Sequence, residues 1–337
     1  MTSRSKAMPS THTELEAALK AVRKVHGEAS TFRLTDGAIH SEVTEVIPTG
    51  IDALDHYGLQ CGGLPVGRVS ELFSAEGKGK TSFGLAALAS CQRNGGVGVL
   101  IETEHATEAS RIEALGVDKG QLVVFEPESL EQGLGQIGTF MEALPKSFGN
   151  ILFVWDSLAA TLVEEDLKLG PDGKSTRPGA MAAVMSARLK RLLPTLAGRA
   201  HLQFINQTRE KIGVLMGSPE YTPGGNALRF LASVRIRIGA GVKVADVAQG
   251  GKDAVGHEAK LVVKKNRHGF PNREVHTRLI YKEGWDNDWT TLRLAKSLGL
   301  VTKGARDFKK AKEALEEVGW DPVKAQAKLK REEVKSK

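Results

Sequence analysis

The densest chemistry in the chain lies in one run, Ser74-Ala75-Glu76-Gly77-Lys78-Gly79-Lys80-Thr81. A short apolar stretch, Val69–Phe73, precedes it, and a helical pattern, Thr81–Gln92, follows. A glycine-rich turn between a strand and a helix aims backbone N–H groups and the positive end of the helix dipole at a phosphate. On this reading Glu76, Gly77, Lys78, Gly79, Lys80, Thr81 and Ser82 surround the phosphates of a nucleoside triphosphate. Lys80 would reach the β- and γ-phosphates, and the Thr81 hydroxyl would help to hold Mg²⁺. The pattern asks for glycine at its first position, where this chain has Ser74, so a slightly altered turn is expected.

Two more apolar runs end in carboxylates. Ile151–Trp155 closes on Asp156, which at the C-terminal edge of a parallel strand would join Thr81 at the Mg²⁺. An aspartate there also serves as a common helix N-cap, and it is the pairing with the phosphate loop that favours the metal role. Val99–Ile101 leads into Glu102 and Glu104, one of which would activate water for attack on the γ-phosphate. Periodicity does not choose between them.

The elements that must position these groups are legible as an α/β pattern. From about Val46 to Tyr281, short apolar runs (Val69–Phe73, Val97–Ile101, Leu122–Phe125, Ile151–Trp155, Leu202–Ile205) alternate with helical stretches such as Thr81–Gln92 and Met181–Leu196. That alternation predicts a mainly parallel twisted sheet covered on both faces. Val234–Ile238, Ala259–Lys264 and Val275–Tyr281 follow with little helix between them and predict an antiparallel extension of the same sheet. Two stretches, 170–179 (GPDGKSTRPG) and much of 209–225 (REKIGVLMGSPEYTPGG), read as irregular. Loops that long inside a compact domain are functional or disordered, and both follow strands, so both should leave the same sheet edge.

Upstream, Leu15, Ala18, Leu19, Val22 and Val25 repeat at helical spacing, with Thr13 and Glu16 as a capping box and Gly27 as the stop. The apolar stripe must pack on its own domain or on a neighbouring subunit. Downstream of about Asn287 the chain is helical and lysine-rich: from Val301 to Lys337, nine lysines and two arginines face seven acids, a net +4. The expected divisions are residues 1–45, a helix and linker; 46–285, the core; and 286–337, a basic helical lobe.

Composition excludes several classes. The 337 residues, 41% hydrophobic and 26% charged, suit a soluble globular protein with an ample core. Two cysteines without a CxxC pair argue against a disulfide scaffold or zinc ribbon and fit a reducing cytosol. No apolar run approaches the roughly 18 residues of a membrane helix. The net charge of +7 suits a polyanionic partner, nucleic acid before membrane, and equally suits an ordinary soluble surface.

The motifs stand in an arrangement that resembles the bacterial RecA recombinase family, from about Thr13 to Trp285. The matching text is VIPTG (46–50), CGGLPVGR (61–68), ETEHA (102–106), WDSLAA (155–160), FINQTREKIGV (204–214), GGNALRF (224–230), ASVRI (232–236) and VVKKNR (262–267). The resemblance implies a RecA-type P-loop ATPase core with an N-terminal polymerisation helix and a small helical C-terminal lobe. It implies ATP and Mg²⁺ as cofactors, a homo-oligomeric helical filament, and single- and double-stranded DNA as partners, with no membrane. By the same resemblance Glu104 is the catalytic glutamate, Asp156 the Mg²⁺-linked aspartate and Gln207 the γ-phosphate sensor. Lys265 and Arg267 match cations that reach the ATP of the adjacent subunit, the second a lysine in familiar members. Arg111 and Tyr281 fall at nucleotide-binding positions, Arg111 where a tyrosine usually stacks on adenine; a guanidinium plane also stacks. Arg229 and Phe230 match the subunit interface, and the N-terminal helix matches the segment that docks on the neighbour.

The two irregular loops (about 164–179 and 208–225) match the family's DNA-binding loops. Ser186, Lys190, Arg209, Lys211, Ile212, Gly224, Gly225 and Asn226 are the DNA-binding candidates, with Ile212 as an apolar wedge between bases. Pro178 stands where an apolar wedge is usual, and the chain ends basic where familiar members end acidic. Residues 308–331 also resemble, over a short span, a ubiquitin-associated-like three-helix module; a generic helical lobe is the simpler reading. A non-catalytic RecA-like regulator or structural DNA-binding filament protein is the alternative function, motivated by Ser74, Arg111 and the recast first loop. A hexameric helicase is disfavoured by the N-terminal helix and GGNALRF.

Overall fold

A computed structural model describes residues 11–27, 31, 43–169, 179–210, 220–245 and 254–335. The chain divides into two compact units, Met1–Glu42 and Val43–Lys337. In the first, α1 (Thr11–His26) ends with Arg23, Lys24 and His26, cations that suit the negative end of the helix dipole. Gly27 then takes φ +94° and its N–H donates to the Arg23 carbonyl at 2.8 Å, as its reading as a stop requires. The helix already runs through Thr11 and His12, so Thr13 lies within its first turn. Leu15, Val22 and Val25 of its apolar stripe are exposed.

The second unit runs β1 (Val46–Ile47), β2 (Leu64–Pro65), β3 (Val69–Ser74), α2 (Lys80–Arg93), β4 (Val97–Glu102), α3 (Ala109–Ala114), β5 (Val123–Phe125), α4 (Leu130–Ala143), β6 (Ile151–Asp156), α5 (Glu164–Leu167), α6 (Ala180–Val184), α7 (Lys190–Leu196) and β7 (Ala200–Gln207). It continues with β8 (Arg209–Glu210), β9 (Glu220–Tyr221), α8 (Gly225–Leu231), β10 (Val234–Ala245), β11 (Ala254–Asn266), β12 (Glu274–Ile280), β13 (Gly284–Trp285), α9 (Asn287–Ser297), α10 (Phe308–Glu317) and α11 (Pro322–Lys335). Among the described residues one nine-stranded sheet has the order β13-β12-β11-β10-β3-β7-β6-β4-β5.

The fold class is as the sequence implies. Every residue of β3 and β6 is buried, as a strand covered on both faces must be. One face carries α2 and the C-terminal helices, joining Leu85, Leu88, Val154 and Ile205 to Leu294, Leu315 and Trp320. The other carries α4 and α7, joining Leu134, Ile137, Phe153, Leu192 and Phe204. Asp286 and Asp307 cap α9 and α10 through the N–H groups of Trp289 (2.8 Å) and Lys310 (3.1 Å). Lys312 pairs with Asp52 at 2.5 Å, tying α10 to the chain just after β1.

Two expectations are corrected. Val234–Ile238 is not antiparallel throughout: β10 pairs parallel with β3 and antiparallel with β11, because an apolar run does not encode strand direction. Met181–Leu196 is not one regular helix: a π-helical turn at Met185–Leu189 separates α6 from α7. At the ends of the stretch 209–225, Arg209–Glu210 and Glu220–Tyr221 pair antiparallel, and Gly225 opens α8.

Candidate functional site

Parallel strands bring their C-terminal ends to one edge, and that edge collects the chemistry. Ser74 of β3 lies in register with Gln207 of β7, and Glu102 of β4 with Asp156 of β6. Open α/β sheets bind ligands at this edge.

The phosphate loop turns on Gly77 and Gly79, with φ +69° and +89°. A Cβ on Gly79 would stand 2.7 Å from Leu279 Cδ2 and 3.1 Å from Trp285, so only glycine lets the loop lie against β12 and β13. Ser74 needs no such freedom. It is the buried last residue of β3, outside the positive-φ set, and its hydroxyl donates to the Ala75 carbonyl at 2.8 Å. Lys80 begins α2, and its Nζ donates to the Ala75 carbonyl at 2.8 Å, with the Ser74 carbonyl and hydroxyl at 3.4 Å. Burial lowers its pKa, opposed by Asp156, Glu104 and Glu76.

Three carboxylates gather at the ends of β4 and β6. Asp156 is 4% exposed and accepts a hydrogen bond from the Thr81 side chain. Burial first, and then the neighbouring Glu104 and Glu102, push its pKa to about 6, against the lowering pull of Thr81 and Lys80. Glu102 is buried; its Oε1 accepts the Glu104 N–H at 2.9 Å, and its Oε2 is enclosed with no partner. Glu104, on the exposed turn beyond β4, receives Ser157 Oγ on its Oε1, with Gln207 Nε2 at 3.4 Å from the same oxygen. Buried acids crowding each other beside a hydroxyl are a donor set that suits a hard divalent cation, so Thr81 and Asp156 fit the Mg²⁺ role. Among the described residues no cluster of three or more His, Cys, Asp or Glu forms a ready-made metal cage.

Beside the loop lies a pocket of about 580 Å³, lined among others by Gly77, Gly79, Ser82, Arg111, His257 and Tyr281, a size that accommodates a nucleoside. Arg111 Nη2 donates to Ser82 Oγ at 3.0 Å. Glu76 and Lys78 fall on the same loop, Glu76 exposed and Lys78 half-buried. Sequence reading missed His257, whose ring packs on Tyr281 at 5.9 Å between centroids.

Lys265 and Arg267 stand elsewhere, at the C-terminal end of α8. Lys265 Nζ donates to the carbonyls of Arg229 and Phe230, both at 2.9 Å, and Arg267 Nη2 to that of Phe230 at 2.8 Å. Burial, then Arg267, Arg235 and Arg229, lower the Lys265 pKa to about 8. Phe230 is 67% exposed. The opposite end of α8 belongs to the candidate DNA loop: Gly224, with φ +86°, is its N-cap, and Gly225 and Asn226 are its exposed first residues. A Cβ on Gly225 would stand 2.8 Å from the Ala182 Cβ, so glycine brings α8 against α6, which follows the first loop. Arg209 is exposed on β8, Ser186 lies in the π-helical turn, and Lys190 is exposed at the start of α7. Arg237 grips Glu220 by two bonds, 2.5 and 2.7 Å, and so holds the return strand β9 to β10. Residues 170–178 and 211–219, which include Pro178, Lys211 and Ile212, lie outside the described residues.

A phosphate loop, carboxylates on adjacent parallel strands and a nucleoside-sized pocket define a P-loop nucleoside-triphosphatase of the α/β class. The family described as the RecA N-terminal domain matches residues 13–286. The chain is 37% identical over 308 residues to Protein RecA of Chlorobaculum tepidum, covering 91% of this chain and 86% of that one. To Protein RecA of Francisella philomiragia it is 39% identical over 271 residues, 80% of this chain and 72% of that one. The chain therefore belongs to the RecA family, as a divergent RecA-like recombinase. The crystal structure of the RadB recombinase superposes with a TM-score of 0.51 at 18% identity, over 71% of this chain and 98% of that one, which is a likeness of fold. Family membership implies a DNA-dependent ATPase that uses ATP and Mg²⁺. Among the described residues no helix is long and apolar enough to cross a membrane.

Proposed function

We propose that this chain binds ATP between neighbouring subunits of a filament on single-stranded DNA, hydrolyses it under the control of that DNA, and pairs the strand with a homologous duplex. The observation that carries the reading is the meeting of Glu104 and Gln207 on one carboxylate oxygen at the mouth of the phosphate loop. Glu104 orients and deprotonates the attacking water. Gln207, at the end of β7 and two residues before Arg209, links that carboxylate to the root of the second DNA loop. Lys80 leaves the Ala75 carbonyl to hold the β- and γ-phosphates, and Arg111 and Tyr281 flank the base. Bound through Thr81 and Asp156, Mg²⁺ would neutralise charge on the phosphate oxygens.

Lys265 and Arg267 are far in sequence from the loop and sit beside the exposed Phe230, a placement that supports their service to a neighbour's nucleotide. ATP then joins two subunits, and its hydrolysis loosens them. Gly224, Gly225 and Asn226 present backbone, and Arg209, Lys211, Ser186 and Lys190 present charge or hydroxyl, to the DNA phosphates; this reads shape and not sequence. Ser74, which motivated the non-catalytic alternative, fits its position without strain, and that weakens the alternative.

ATP hydrolysis measured with and without single-stranded DNA tests the proposal. Strong stimulation by DNA, lost in Glu104→Gln, supports the coupled filament ATPase. DNA binding with no hydrolysis would move the assignment to the regulator.

A further inference from the structure

We infer that Ser157 is the positioning residue for the hydrolytic carboxylate, its hydroxyl fixing Glu104 Oε1 against the end of β6. The inference rests on the proposed role of Glu104 and adds to it a residue that the role does not require.

Glu104 is the least constrained member of the site. It lies on an exposed turn, and a glutamate there has several rotatable bonds to immobilise before its oxygen can serve as a base. Its backbone is held, because the Glu104 N–H donates to Glu102 Oε1 at 2.9 Å. Its side chain has two donors in reach. Gln207 Nε2 is at 3.4 Å, a long contact from a residue that must also answer the γ-phosphate. The close donor is Ser157 Oγ.

Ser157 can impose a geometry because its own is imposed. It is 1% exposed. Its carbonyl accepts from Thr103 Oγ1 at 2.8 Å and Thr161 Oγ1 at 2.9 Å, and Thr161 in turn accepts from the buried Trp155 indole at 2.9 Å. A rigid donor facing a mobile acceptor sets the acceptor's position. Consecutive residues therefore divide the work at the end of β6: Asp156 faces Thr81, and Ser157 faces Glu104. The anchoring of residue 157 runs through its carbonyl, which alanine retains, so Ser157→Ala removes the contact to Glu104 and leaves the Thr103 and Thr161 contacts in place.

The test compares wild type, Ser157→Ala, Ser157→Thr, Glu104→Gln and Ser157→Ala/Glu104→Gln. Hydrolysis is followed with single-stranded DNA present, nucleotide affinity with a fluorescent ATP analogue, and folding by thermal melting. A hydrogen bond to a charged group predicts a kcat about 10- to 100-fold lower in Ser157→Ala. Nucleotide affinity should stay within about twofold, since Ser157 reaches no phosphate-loop residue. Ser157→Thr, which keeps the hydroxyl, should restore most of the turnover. Should the added methyl lower the melting temperature, the double variant decides instead: in single turnover it should be no slower than Glu104→Gln alone, since the serine acts only through the carboxylate. Wild-type kcat in Ser157→Ala, affinity falling in step with kcat, or a further loss in the double variant each overturns the inference. A dead Glu104→Gln beside a fully active Ser157→Ala refutes the inference alone. An active Glu104→Gln refutes the role of Glu104 and the inference with it.

Discussion

The two halves of the proposed ATP site are built on different terms. The half belonging to the phosphate loop is part of the core: Lys80, Glu102 and Asp156 are 8%, 5% and 4% exposed, and each is placed by a strand end or a helix start. In the half belonging to Lys265 and Arg267, the side-chain cations rest on carbonyls at the exposed end of α8, where a short helix offers its negative pole. Folding a single subunit completes the first half. In the second, burial first and then Arg267, Arg235 and Arg229 lower the pKa of Lys265 to about 8, and in the proposed filament a neighbour's triphosphate would supply the missing anionic partner. In the proposed filament, placing part of the charge stabilisation on a second subunit would make fast hydrolysis conditional on assembly.

The comparison breaks most directly if the second half proves dispensable. Lys265→Ala with Arg267→Ala should lower DNA-stimulated turnover by about 10³ or more, the scale of a missing arginine finger. A separate subunit should meanwhile bind nucleotide with unchanged affinity, since neither cation touches its own phosphate loop. Equilibrium titration of dilute monomer and turnover on DNA give the two numbers, and a parallel fall in both would place the cations in the same subunit's site. Glu104→Gln is the counterpart in the first half. Loss of a general base costs about 10² to 10⁴ in kcat, here with ATP-dependent assembly on DNA retained. Pelleting with DNA beside a hydrolysis assay separates these effects.

Asp156 sharpens the contrast through pH. Its pKa rises from 3.8 in the unfolded chain to about 6 in the fold, so between those values the folded state holds more protons. Stability from this group is therefore present at acid pH and lost as pH rises through about 6, by about 3 kcal/mol at most. In Mg²⁺-free buffer at pH 7.5, Asp156→Asn should stabilise the protein by about 2 kcal/mol, a gain that disappears below pH 4. Urea unfolding at both pH values measures it. A destabilised Asn variant at pH 7.5 would mean that the carboxylate is satisfied without a cation.

What the sequence revealed follows the same division. The first half was legible because its carboxylates and its glycine loop each follow an apolar run, and the C-terminal end of a buried parallel strand lies at the binding edge. Glu102 against Glu104 was not decidable by period, and the contact of Ser157 with Glu104 joins residues 53 apart across two strands. The docking of Lys265 and Arg267 went unread for a different reason: their acceptors are backbone carbonyls, which no residue type announces. Strand direction in β10 and the two-residue strands β8 and β9 fall below what apolar periodicity encodes. The RecA resemblance supplied the roles of Lys265, Arg267 and Gln207, none of which spacing alone suggested.

The smallest effect concerns the base pocket, which couples weakly to either half. Arg111 stands where familiar relatives stack a tyrosine, and its Nη2 donates to Ser82 Oγ at the start of α2. In the proposed site the guanidinium, which lines the pocket together with Tyr281, would offer a flat cation to a purine, worth about 0.5–1 kcal/mol at a partly exposed site. Arg111→Ala should therefore weaken ATP binding about two- to fivefold and leave kcat at saturation unchanged, because the group contacts neither the phosphates nor Glu104. Arg111→Tyr should restore the affinity, since an aromatic face also stacks on a purine. A large fall in kcat for Arg111→Ala would instead show that the Ser82 contact transmits force along α2 to Lys80, and the base pocket would then belong to the catalytic half.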